Sequence, residues 1–152
     1  MRIAFASDHG GYLLKQHLLR YLQDKGYETV DFGCFGTESC DYADYAFPAS
    51  EAVARGEFDR AILICRTGIG MSICANKVDG IRCALCDNTE TAKMTREHND
   101  SNVLALGDLL VTPEKAEDIC DIWLTAEFLG GRHERRIGKI QEYERNRGGL
   151  HG

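Results

Sequence analysis

The most restrictive feature of this chain is an alternation: short apolar runs are each followed by a longer stretch with helical period. The runs are Ile3–Ala6, Thr29–Phe32, Ala61–Ile64, Arg82–Leu85 and Asn102–Leu106. Strands joined through a helix lie side by side in parallel, since antiparallel neighbours are the ones a tight hairpin can join. The pattern predicts an α/β fold on a five-stranded parallel sheet. Ala61–Ile64 is the most apolar run, so it is expected at the centre, buried on both faces.

Helices are expected over Tyr12–Lys25, Phe47–Arg55, Ser72–Asn76 and Thr89–Glu97, from Thr112 to Phe128, and over Arg132–Arg147. In the first, Leu14, Leu18, Tyr21 and Leu22 share one face, and Gly26 ends it. Thr112 is placed to cap its helix, with Pro113 in the first turn. Gly33–Asp44 has turn residues and no period, which reads as a long loop. No repeat or linker divides the chain, so one domain over 1–152 is expected, with a disordered tail over 147–152.

The formal charge of −6 argues against a nucleic-acid partner, and no apolar run approaches the length of a membrane span. Met1–Ser7 turns polar too soon for a signal peptide, so a cytoplasmic location is expected. Seven cysteines, an odd number lying mostly inside apolar segments, read as reduced packing residues rather than a disulfide framework.

Cys65 is the exception. It lies where the central strand ends and Thr67-Gly68-Ile69-Gly70 opens a helix. The positive end of a helix and its backbone N–H groups favour a thiolate there, and a thiolate can abstract a proton. Glycines at 68 and 70 let the backbone approach a ligand, and their amides can hold an oxyanion. Ligands of open parallel sheets bind at the carboxyl ends of the strands. Three loops with reactive residues are expected there: Asp8–Gly11, Cys65–Gly70 and Arg96–Asp100. His98 and His9 sit among polar neighbours and are acid–base candidates. Arg132, Arg135 and Arg136 follow a glycine pair, as either a solvated helix end or an anion site.

Rival motifs are weaker. Gly68-Ile69-Gly70 starts like a dinucleotide fingerprint, but Ile73 holds the third glycine position. Met71 stands where a tyrosine-phosphatase loop needs arginine, and no Walker A sequence occurs. Cys83 and Cys86 form a C-x-x-C that a strand would split between two faces. No metal-ligand spacing appears. A reaction without metal or cofactor is expected.

Ser7-Asp8-His9-Gly10-Gly11, Cys65-x-Thr67-Gly68-x-Gly70, Ala75-Asn76-Lys77, Arg96-Glu97-His98-Asn99-Asp100 and Gly130-Gly131-Arg132-His133 occur in this order. Together they resemble the ribose-5-phosphate isomerase B / galactose-6-phosphate isomerase family, from residue 2 to about 145. The resemblance implies a Rossmann-like three-layer α/β/α sandwich and a homodimer or tetramer with active sites at the subunit interface. It implies an aldose–ketose isomerase acting on a sugar phosphate through an enediolate. Cys65 would be the base, and His98 would open the sugar ring, assisted by Thr67 or Asp8. Asn99 and the amides of Gly68, Ile69 and Gly70 would hold the enediolate, and His9, Arg132 and Arg136 the phosphate. Met71 occupies the position of the glutamate base of another branch, which places this chain in the cysteine branch.

Two departures stand out. Arg66 replaces a glycine usual in the family, and Leu109 stands where the family usually has an arginine. Arg66 is read either as partly restoring the lost anion contact or as pointing away from a site of changed specificity. Alternatives are an isomerase of non-phosphorylated sugars and a non-catalytic sugar-phosphate-binding subunit.

Overall fold

The computed structural model describes residues 1–147, with the backbone of the last helix continuing through His151. Of the tail over 147–152 that the sequence reads as disordered, the side chains of 148–151 and all of Gly152 lie outside the described residues. Five strands form one parallel sheet: β1 (Arg2–Ser7), β2 (Glu28–Asp31), β3 (Arg60–Cys65), β4 (Cys83–Leu85) and β5 (Val103–Gly107). Their order is β2-β1-β3-β5-β4, so β3 is central as expected. The order reverses between β1 and β3, and a crevice opens at such a switch point. The ladder sets Ser7 beside Ile64 and Cys65 beside Gly107, which brings three strand ends to one edge.

Alternation along the strands builds two cores. Ile3, Phe5, Ile62, Ile64, Leu104 and Leu106 face α1 (Tyr12–Asp24) and α5 (Pro113–Thr125), where Leu18, Leu22 and Trp123 fill the space. The other face carries Ala4, Ala6, Ala61, Leu63, Cys65 and Ala105. Its small residues let α2 (Ala43–Ala54) and α3 (Ile69–Ala75) pack close, through Ala46, Ala49, Met71 and Ala75. Full burial of one leucine or isoleucine stabilises by about 1.5–3 kcal/mol, so each face contributes substantially. The result is the expected three-layer α/β/α sandwich.

Several boundaries differ from the sequence reading. α2 begins at Ala43, not Phe47, although Pro48 lies within it. Proline lacks an N–H, but Pro48 is on the exposed side, and turns from Asp41 and Tyr42 already start the helix. α5 stops at Thr125 rather than Phe128, because Ala126 turns extended and Arg60 takes the carbonyl of Trp123 at 2.6 Å. α4 (Thr89–Asn99) runs two residues past Glu97 and ends on Asp100 at φ 46°. The last helix, α6 (Arg132–His151), docks on α4.

Candidate active site

β3 delivers Cys65 to the sheet edge, and period two turns its side chain toward α3 with Leu63 and Ala61. The chain then turns through Gly68 at φ +80°, a conformation that favours glycine. A Cβ at Gly68 would also lie 2.4 Å from Leu85. This tight turn aims the Gly68 amide at Cys65 Sγ, 3.1 Å away, and the Ile69 amide at Thr67 Oγ1, 3.2 Å away. A sulfur that accepts an N–H is arranged as a thiolate would be. Of the loop amides, that of Gly70 has no partner among the described residues and remains open to an oxyanion.

Asp8 follows β1 and is 8% exposed. Its Oδ1 accepts from the amides of Gly10 and Gly11 at 2.9 and 3.1 Å, which locks the first loop. Asp8, Cys65, Arg66, Thr67, Ile69 and Gly70 line one cleft of about 370 Å³. Tyr42 and Ile73 complete it. Tyr42 was missed in the sequence because it lies at the end of a loop without period. Only its packing over Gly70, where a Cβ would come within 2.6 Å of the ring, reveals it. His9 is exposed beside Asp8, its Nδ1 accepting from the Cys40 amide at 3.2 Å. Met71 is fully buried under the cleft.

Arg66 is exposed and pairs with no carboxylate among the described residues. Its carbonyl accepts from the Leu109 amide at 2.9 Å, so Arg66 and Leu109 are neighbours on adjoining strand ends. The cation is one strand away from the position where the sequence comparison missed it.

The third loop does not join them. α4 returns the chain to the opposite edge, where Arg82, just before β4, donates to the carbonyls of Asn99 and Asp100, each at 2.9 Å. The expectation that Arg96–Asp100 shares the Cys65 edge is therefore wrong within one chain. It failed because a loop that follows a helix in a parallel sheet precedes the next strand. The six residues of β3 separate the two edges, about 16 Å at the rise of a strand.

At that second edge His98 stacks on His133, with ring centroids 4.4 Å apart and planes within 12°. Burial first, then His98, Arg132 and Arg136, hold the pKa of His133 below the ordinary histidine value. Arg132 and Arg136 are exposed on one face of α6, and Asn99 is exposed at the end of α4. Four of the expected site residues, His98, Asn99, Arg132 and Arg136, thus gather here, away from Cys65.

Known proteins decide which family these two clusters belong to. The model of the ribose/galactose isomerase family matches residues 3–140. The chain belongs to that family. Ribose-5-phosphate isomerase B of Escherichia coli is 45% identical over 96% of this chain and 98% of its own. The ribose-5-phosphate isomerase B structure from Clostridium thermocellum superposes with a TM-score of 0.94 at 55% identity, covering 95% of this chain and 98% of that one. The Mycoplasma genitalium enzyme, solved with bound ribulose-5-phosphate, superposes with a TM-score of 0.92 at 41% identity, covering 95% and 97%. Like the other ribose/galactose isomerases, the chain is an isomerase. Among the described residues no helix is long and apolar enough to cross a membrane.

Proposed function

We propose that this isomerase interconverts ribose 5-phosphate and ribulose 5-phosphate, with Cys65 as the base that moves a proton between C2 and C1. The observation that carries the reading is the Gly68 amide at 3.1 Å from Cys65 Sγ, inside a cleft that Asp8, Thr67 and Gly70 share. The ligand named for the Mycoplasma genitalium relative supports the substrate.

The chemistry is a paired proton transfer. The Cys65 thiolate takes the proton from C2 of the open-chain aldose, and the electron pair spreads onto O1 as a cis-enediolate. The open amide of Gly70 stabilises that oxyanion, together with Asn99. Cys65 then returns the proton to C1, while the hydroxyl proton moves from O2 to O1. His98 opens the furanose ring, assisted by Thr67 or Asp8. His9, Arg132 and Arg136 hold the phosphate, and Arg66 reaches it from the cleft side.

One chain cannot do this alone, since Cys65 and His98 lie at opposite edges of the sheet. A second copy completes each site. The cleft's rim supports this: Tyr42, Ile69 and Ile73 are 43%, 52% and 56% exposed, an apolar margin suited to a covering chain. A twofold dimer makes two equivalent sites, and a tetramer pairs two such dimers. Seven free thiols fit the reducing cytoplasm, where we place the enzyme.

The test is turnover of ribose 5-phosphate in D2O. Ribulose 5-phosphate should form with deuterium entering the sugar's C–H positions, and Cys65→Ala should lose both while keeping its fold. No product from any pentose phosphate with the native protein would refute the substrate. Undiminished exchange by Cys65→Ala would refute the base.

A further inference from the structure

Cys34 and Cys40 are thiols that the isomerase chemistry does not use. Burial pushes up the thiols of Cys74, Cys83, Cys86 and Cys120. Those four lie on helices or around the sheet edge, and Cys83 and Cys86 pack against opposite faces. Cys34 and Cys40 instead share the irregular segment between β2 and α2, and both line one cavity of about 640 Å³ with Phe35 and Tyr45.

Cys34 is 4% exposed, and its backbone is tied to β1 by a 2.8 Å hydrogen bond to the Ser7 carbonyl. Its thiol donates to the Gly36 carbonyl at 3.3 Å. Cys40 is half-buried and can be reached from solvent. Its amide donates to His9 Nδ1, and its sulfur lies 3.9 Å from that same nitrogen. The two thiols feel one another: burial raises the Cys40 pKa, the His9 contact lowers it, and Cys34 raises it further. Residues 35–41 make no sheet ladder, so moving Cys40 sacrifices none. Among the described residues no three His, Cys, Asp or Glu side chains are grouped to hold a metal ion, which leaves thiol chemistry.

We propose that Cys34 and Cys40 are a thiol–disulfide modification site, oxidised by a small disulfide of the glutathione class, whose closure slows turnover at the Cys65 cleft. The effect on turnover rests on the reading of that cleft as the active site; the bridge itself does not. The exposed partner reacts first. Cys40 thiolate attacks the small disulfide, forms a mixed disulfide and expels one thiolate. Cys34, having lost its proton to solvent, then attacks the Cys40 sulfur and expels the second. Two protein thiols are oxidised to one disulfide, and one small disulfide is reduced to two thiols. Because the attacking form is the thiolate, the rate rises with pH.

The bridge draws the sulfurs to about 2.05 Å. Cys34 is anchored to β1, so Cys40 moves. That movement pulls Cys40 from His9, and it drags Tyr42, two residues on, whose ring packs over Gly70. Displacing a positioned group by about 1 Å can cost on the order of 100-fold in rate.

The experiment exposes native, reduced protein to oxidised glutathione, with peptide mapping and turnover measured in parallel. The expected product has lost two hydrogens, carries a Cys34–Cys40 cross-link, and turns over at least about tenfold more slowly until dithiothreitol restores it. Cys40→Ser should match the reduced protein in turnover and resist inactivation. Absence of the cross-link, glutathione retained on Cys40, or a bridge to another cysteine overturns the proposal. A Cys34–Cys40 bridge that leaves turnover unchanged overturns its control of the cleft. The cross-link is read by mass, so it is judged even if ribose 5-phosphate proves not to be the substrate.

Discussion

The two edges of the sheet are built in different ways. At the Cys65 edge, backbone packs on backbone: a Cβ at Gly11 would lie 2.3 Å from the Ile64 carbonyl oxygen, and one at Gly107 would lie 2.6 Å from Thr67. At the His98 edge the functional groups stand on helix surfaces, and a Cβ at Gly131, φ +58°, would meet nothing within 4 Å. The first edge holds the Cys65 sulfur and the Gly68 amide in a fixed geometry, 3.1 Å apart. The second presents cations and a stacked histidine pair outward, on helix surfaces. One edge is closely packed backbone, and the other is a display of side chains.

Mixing variants tests this division most severely. Cys65→Ala and His98→Asn should each lower turnover by about 10³-fold as pure proteins. Unfolded together and refolded, half the dimers are mixed, and each holds one intact site, so about a quarter of native turnover should return. No recovery would mean that each chain carries its own complete site.

A stability comparison comes next. Gly11→Ala should cost about 3 kcal/mol, by forcing a methyl into packed backbone. Gly131→Ala should cost only about 1 kcal/mol, the conformational penalty of a positive φ. Equal costs in denaturant titrations would erase the contrast between the edges.

Arg66 sharpens it further, as the cation on the rigid side. Arg66→Gly should raise KM for ribose 5-phosphate about tenfold with kcat little changed, the loss of roughly one charged hydrogen bond. An unchanged KM removes Arg66 from phosphate binding.

The smallest effect belongs to the second edge. Arg136→Ala should move the His133 titration, followed by NMR, upward toward the ordinary histidine value, because a positive neighbour is gone. The folded-state pKa of His133 is depressed, so the stability linked to it is present above the unfolded pKa. That stability is lost as pH falls through the folded value. A downward shift in the variant would contradict the electrostatic reading.

Much of this was legible in the sequence. Short apolar runs marked every strand, and Thr112-Pro113 and Gly26 marked helix ends, because those signals are local. Cys65, Thr67, Ile69 and Gly70 were legible as a cleft, since a strand running into a glycine turn leaves few other geometries. Tyr42 and the start of α2 were not, because a loop without period and an internal proline hide a helix whose missing bond faces solvent.

By itself the sequence determined the α/β class, the central strand and the cleft-lining turn at the end of that strand, all consequences of neighbours along the chain. Only the tertiary structure decided that His98, Asn99, Arg132 and Arg136 lie a full strand length from Cys65. In a parallel sheet the loops that leave strands and the loops that leave helices occupy opposite edges, and a list of motifs in order carries no record of which edge each one reaches.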